Sequence, residues 1–140
     1  METAELVAAA VSTVMDRRSV SAFLIGTTPQ WTRIGRSLPD PESPNTYVRH
    51  VLGRIGDVEV VLIKWGINAT TPPHGHPDGG CWLATLEGTL MEDLPALGRS
   101  DFATLGYRRG ADDIHIIRTV GGTPAMSIHI YDHAHTAAKK

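Results

Sequence analysis

The amino-acid sequence predicts a mainly β protein, a jelly-roll or antiparallel β-barrel preceded by one or two helices. Three observations carry this. Apolar residues recur at helical spacing only near the N-terminus. From residue 46 onward they fall in short runs rich in β-branched and aromatic residues. Gly and Asp punctuate those runs at even intervals, as in folds built from many short antiparallel strands.

The first helix is expected over residues 3–16, where Leu6, Val7, Ala10, Val11, Val14 and Met15 share a face and Asp16, Arg17 and Arg18 form a solvated end. A second, short helix is expected over 20–25, stopped by Gly26. Residues 1–26 thus read as a helical region. Residues 27–45 carry Pro29, Pro39, Pro41 and Pro44 among polar residues and read as a proline-rich arm without regular structure. The barrel is expected over 46–132. Its strands are 47–54, then 58–65 after a Gly56-Asp57 turn, 81–86 and 89–92 broken at Gly88, 101–107, 114–120 and 125–131. The whole chain, 1–140, is of a length for one domain with a real core.

Composition narrows the function. The net charge of -2 argues against a nucleic-acid partner, which wants a basic face. No apolar run approaches the ~18 residues of a membrane span and no basic-then-apolar leader opens the chain, so a cytoplasmic protein with no membrane partner is expected. One cysteine, Cys81, allows no internal disulfide.

The most informative stretch is Pro72-Pro73-His74-Gly75-His76, followed by Gly80-Cys81 and Glu87-Gly88. On an extended segment, residues two apart point to one side, so His74 and His76 can face one metal ion from a strand end. Gly75 lets the backbone come close. Imidazole suits Fe, Zn, Cu and Ni alike, so two histidines do not name the metal. Downstream, His115 follows the Asp112-Asp113 turn, and Ser127, His129 and Tyr131 alternate with Ile128 and Ile130. A Ser-His-Tyr stripe on one side of a strand fits the lining of a polar barrel interior. His50 is expected outside the pocket, on the face opposite Arg49, and His133 and His135 read as tail residues.

The His-x-His spacing resembles the first cupin motif, with Gly88 where that motif has its glycine and Cys81 where it has a glutamate. From Trp31 to Asp132 the chain is similar to the cysteine dioxygenase family. Tyr47-Val48-Arg49 looks like the family's Tyr-x-Arg segment, and Trp65-Gly66 like its Trp-Gly segment. The resemblance implies a cupin barrel and three iron ligands, His74, His76 and His115. It implies that Arg49 binds a substrate carboxylate, with Tyr47 and Trp65 alongside. It also implies a thioether between Cys81 and Tyr131, and a catalytic Ser127-His129-Tyr131 hydrogen-bonded set. The departures are Ile116-Ile117-Arg118-Thr119 in place of the family's Val-Glu-Asn, a spacing from His115 to His129 shorter by one, and no counterpart of the family's C-terminal hairpin. The last predicts a more open pocket.

The activity implied is Fe(II)-dependent addition of both atoms of O2 to a small thiol, L-cysteine to cysteine sulfinic acid above others. The partners are then a small-molecule thiol and O2. Omitting a carboxylate ligand keeps the site positive, which favours an anionic thiolate. Two alternatives share these residues: a dioxygenase for another thiol, such as a mercapto acid, and a non-redox metal-binding cupin.

Overall fold

The computed structural model describes residues 2–134. Three helices, α1 (Thr3–Met15), α2 (Val20–Gly26) and α3 (Thr28–Arg36), precede the strands. The strands are β1 (Tyr47–Ile55), β2 (Val58–Trp65), β3 (Cys81–Glu87), β4 (Thr89–Leu94), β5 (Arg99–Phe102), β6 (Leu105–Arg108), β7 (Ile116–Val120) and β8 (Ala125–Asp132). They form two sheets, in the orders β1-β2-β8-β3-β6 and β5-β4-β7, and every pairing is antiparallel. This is the expected mainly β jelly roll with helices at its N-terminal end.

The larger sheet is covered on both faces. Leu6, Val7, Ala10 and Val11 of α1, Val20 and Leu24 of α2, and Trp31 of α3 pack on Val58, Val60, Leu62, Ala84, Ile128 and Ile130. On the other face Val61, Ile63, Trp65 and Leu83 meet Leu90 and Ile117 of the smaller sheet. Burial on two faces explains the unbroken apolar run from Val60 to Ile63 within β2.

Three sequence expectations need correction. Residues 27–45 are not an arm throughout, because α3 occupies Thr28–Arg36. Pro29 lies in its first turn, where a missing N–H costs nothing. Trp31 is fully buried and its indole N–H donates to Thr27 Oγ1 at 2.8 Å, anchoring the helix. The later prolines do lie in irregular chain, which docks on the barrel through Lys64 Nζ to the Leu38 carbonyl at 2.8 Å and Asn68 N–H to the Pro44 carbonyl at 2.8 Å. Next, the strand expected over 101–107 is two strands in different sheets. The chain changes sheet at buried Ala103, whose N–H donates to the Leu90 carbonyl while the Thr104 carbonyl accepts from Thr85. Last, β7 starts at Ile116, so His115 precedes its strand and joins His74 in an isolated bridge.

Gly88, between β3 and β4, has φ +75°, and a Cβ there would stand 2.3 Å from the Pro124 carbonyl oxygen. Gly56 in the β1–β2 turn has φ +59° and open space around it. Gly88→Ala should therefore lose about 2–4 kcal/mol, left-handed strain plus a backbone clash, and Gly56→Ala about 1 kcal/mol, the strain alone. Urea unfolding midpoints of the two variants check the difference.

Candidate metal centre

A cavity of about 280 Å³ lies between the sheets. Of the residues singled out in the sequence, His74, His76, His115, Cys81, Arg49, Tyr47, Trp65, His129 and Tyr131 line it. Ser127 lies behind them, fully buried. His50 points away, to the Pro39 carbonyl at 2.9 Å. His133 lies 3.2 Å from Glu59. His135 lies outside the described residues.

His74 and His76 do not sit on a strand. Pro72, Pro73 and Pro77 keep their segment irregular. Two backbone bonds between His74 and His115, at 3.1 and 3.0 Å, set one histidine beside the other. Gly75 packs so tightly that a Cβ would lie 2.2 Å from the Ala111 carbonyl oxygen. His76 and its neighbours therefore reach the start of β7.

His115 Nε2 lies 2.9 Å from both His74 Nε2 and His76 Nε2. The opposite ring nitrogens fix the tautomers. His74 Nδ1–H donates to the Pro72 carbonyl at 2.9 Å and His76 Nδ1–H to the Asp113 carbonyl at 2.7 Å. His115 Nδ1–H donates to Glu92 Oε2 at 2.6 Å. These acceptors assign the proton to Nδ1 in each ring, so all three Nε2 atoms present lone pairs. Burial first, then the neighbouring His115, pushes His76 down to about 4, and burial likewise lowers His74. His74 and His76 are therefore neutral at neutral pH. Bare nitrogens 2.9 Å apart cannot hydrogen-bond one another, and a cation among them resolves the repulsion. A divalent ion, with M–N bonds of roughly 2.1 Å, would be held there through imidazole nitrogens. The three histidines could hold a metal ion, one ring nitrogen of each lying within 4.8 Å of the others.

The cavity wall is ordered around this cluster. Trp65 Nε1–H donates to Ser127 Oγ at 2.8 Å, and Ser127 bonds His129 Nε2 at 2.7 Å. Burial, then His115, pushes His129 down to about 3, so it too is neutral. Tyr131 stacks on His129, ring centroids 6.0 Å apart. The Arg49 guanidinium lies 5.6 Å from the Tyr131 ring centroid and 3.8 Å from Glu59 Oε1. Cys81 and Tyr131 are directly opposed in the β3–β8 ladder. Burial pushes the Cys81 thiol up to about 12, against the pull of Arg49. Burial and Cys81 likewise raise the Tyr131 phenol. Both stay protonated at neutral pH.

Glu92 and Arg108 also line the cavity and were not foreseen. Burial raises the Glu92 carboxyl, but hydrogen bonds from Arg108 and His115 outweigh it and hold it at about 2. A signal was present: Glu92 takes the inward position between Leu90 and Leu94 on a strictly alternating strand.

No family model matches the chain, and no curated protein matches it. Solved structures do. The polyketide cyclase RemF from Streptomyces resistomycificus superposes with a TM-score of 0.57 at 17% identity, over 69% of this chain and 71% of that one. A cupin domain from Bordetella pertussis gives 0.55 at 15% identity, over 67% of this chain and 100% of that one. An oxalate oxidase in complex with glycolate gives 0.53 at 16% identity, over 69% and 56%. The fold is a cupin. At these identities the likeness speaks for the fold alone; for this cupin, chemistry is argued from the site. No helix among the described residues is long and apolar enough to cross a membrane.

Replacing His74, His76 or His115 by Ala should lower divalent-metal affinity at least ~100-fold, because each would supply one of only three protein donor atoms. His50→Ala should leave it unchanged. Metal analysis and calorimetric titration of the purified variants check both.

Proposed function

We propose that this cupin is a thiol dioxygenase, holding Fe(II) through His74, His76 and His115 and converting a small thiol, L-cysteine first, to its sulfinic acid. The observation that carries the reading is the cross-strand pair of Cys81 and Tyr131 beside a three-histidine cluster. Cys81 takes the position where the first cupin motif has a glutamate, so the donor set is neutral. A neutral set leaves the full charge of a divalent ion available to an anionic ligand, and thiolate is the soft choice.

The overall reaction is RSH + O2 → RSO2H. Sulfur gives up four electrons, O2 accepts four, and both oxygens end on sulfur, so no external reductant is required. A ferrous ion, when bound, supplies the Lewis acidity that deprotonates the thiol and the redox coupling to O2. The chain's own groups do the rest. Arg49 receives the substrate carboxylate through its planar fork. The Tyr131 hydroxyl, protonated at neutral pH, donates a hydrogen bond toward the sulfur or its oxygens. His129 backs the Tyr131 ring and is held by Ser127, itself held by Trp65. Ile63, Leu83 and Ile117 in the cavity wall limit water at the reacting sulfur.

In this reading Cys81 and Tyr131 join through a thioether. The bond forms between Sγ and a phenol ring carbon, the S–H and one ring C–H break, and O2 takes up the two electrons and two protons as H2O2. The cross-link holds the phenol in place at the substrate. Intact mass after turnover should fall by two hydrogens in the native chain and not in Cys81→Ser. An unchanged native mass overturns the cross-link.

The activity is tested by anaerobic reconstitution with Fe(II), then oxygen uptake across a thiol panel. Stoichiometric uptake with cysteine is expected, and Arg49→Ala should lower kcat/KM for carboxylated thiols about 100-fold, the scale of losing a charge-paired contact. Uptake with a different thiol would move the substrate. No uptake with any thiol, together with tight zinc or nickel, would replace this reading by a non-redox metal-binding cupin.

A further inference from the structure

Glu92 and Arg108 play no part in the reaction just described, yet they are the charged pair built most closely around the histidine cluster. A carboxylate persists at a buried position only when it is paired. Glu92 is paired on both sides. Its Oε2 accepts from His115 Nδ1 at 2.6 Å. The Arg108 fork closes on the same carboxylate, Nε to Oε2 at 2.8 Å and Nη2 to Oε1 at 2.7 Å. Arg108 Nη1 also lies 3.7 Å from Asp113 Oδ1, and the Asp113 backbone carbonyl is the acceptor for His76. One guanidinium thus touches the residues that orient two of the three histidines. It comes from β6 in the larger sheet, whereas Glu92 comes from β4 in the smaller.

The two charges act on the cluster in opposite directions. A carboxylate accepting the Nδ1 proton fixes the His115 ring and makes its Nε2 a stronger donor. The same negative charge, uncompensated, would weaken the hold of a bound cation on any anionic ligand. Arg108 donates both to Oε1 and to the Oε2 that His115 uses, and so cancels that charge while His115 keeps its acceptor.

We propose that Glu92 and Arg108 are paired positioning residues: Glu92 aims and strengthens the His115 donor, and Arg108 neutralises Glu92 so that the bound ion keeps its affinity for an anion. The proposal rests on the three histidines holding a divalent ion and is independent of the reaction they serve.

The probe is Co(II) added to metal-free protein, followed by its visible spectrum, with azide then titrated as the anionic ligand. Glu92→Gln keeps an acceptor oxygen but loses the charge; Co(II) affinity should fall 10–100-fold. Arg108→Gln leaves Glu92 on His115; Co(II) affinity should hold or rise while the azide Kd rises about tenfold. Arg108→Lys restores the charge without the fork and should recover azide affinity. Damage to the fold alone would not move metal and azide affinity in opposite directions. If Glu92→Gln does not fold, the Gln and Lys variants of Arg108 decide the matter. Unchanged Co(II) affinity in Glu92→Gln would overturn the proposal, and so would an azide Kd that Arg108→Gln leaves unmoved. Failure of the native chain to bind Co(II) would instead overturn the metal site itself.

Discussion

The His115 Nε2 atom lies 2.9 Å from the Nε2 of both His74 and His76, and the local structure around the three rings is arranged to keep them there. Each ring has its proton drawn to the far nitrogen by a fixed acceptor: the Pro72 carbonyl, the Asp113 carbonyl and the Glu92 carboxylate. Two of these acceptors are backbone, so the tautomers depend on where two irregular segments run. The first segment is kept out of the sheets by Pro72, Pro73 and Pro77. The second, before β7, is tied to it by the His74–His115 bridge. Gly75 permits the contact with Ala111 that brings the segments together. A regular strand at either place would satisfy more backbone groups and would lose these acceptors.

The larger sheet makes such a site affordable. Its β2 and β8 are buried on both faces, one under the helices and one toward the cavity. The helical face carries Ile128 and Ile130, which leaves the alternate positions Ser127, His129 and Tyr131 free to be polar. The chain Trp65–Ser127–His129 satisfies the buried donors and acceptors in series, the condition under which a polar stripe can be kept inside a protein. The apolar lining also accounts for the lowered His129 and the raised Cys81 and Tyr131, which stay neutral until a ligand or an ion changes the field.

Much of this was legible in the residues. Period-two alternation around His129 and the even turn spacing announced the sheets, because both follow from local geometry. The convergence of His115 with His74 and His76 rested on resemblance, since nothing local links positions 41 residues apart. α3 was hidden by proline count, although Pro29 falls at the one place in a helix that tolerates it. The division of the strand expected over 101–107 was hidden because a change of sheet at a small residue such as Ala103 leaves no break in the apolar pattern. Glu92 was visible in its strand as a charge at a buried phase. Its partner Arg108 was not, because the pairing crosses between sheets and depends on tertiary packing alone.

The fold does not choose the chemistry. A polyketide cyclase and an oxalate oxidase share this architecture, and their reactions have little in common. The balance of charge around the cavity is more discriminating. Neutral His74 and His76, a Glu92–Arg108 pair that cancels itself, and a protonated Cys81 and Tyr131 contribute no net charge at neutral pH. Arg49 adds one positive charge at the mouth, with Glu59 drawn up to 3.8 Å from it and its side chain still 44% exposed to an incoming ligand. A divalent ion among the histidines would therefore stand in an apolar cavity with its charge uncompensated. On the proposed function, a cavity so loaded would take a small anion whose donor atom tolerates an apolar wall and whose far end carries a carboxylate for Arg49. A thiolate bearing a carboxylate, the substrate of the proposed function, would meet both conditions.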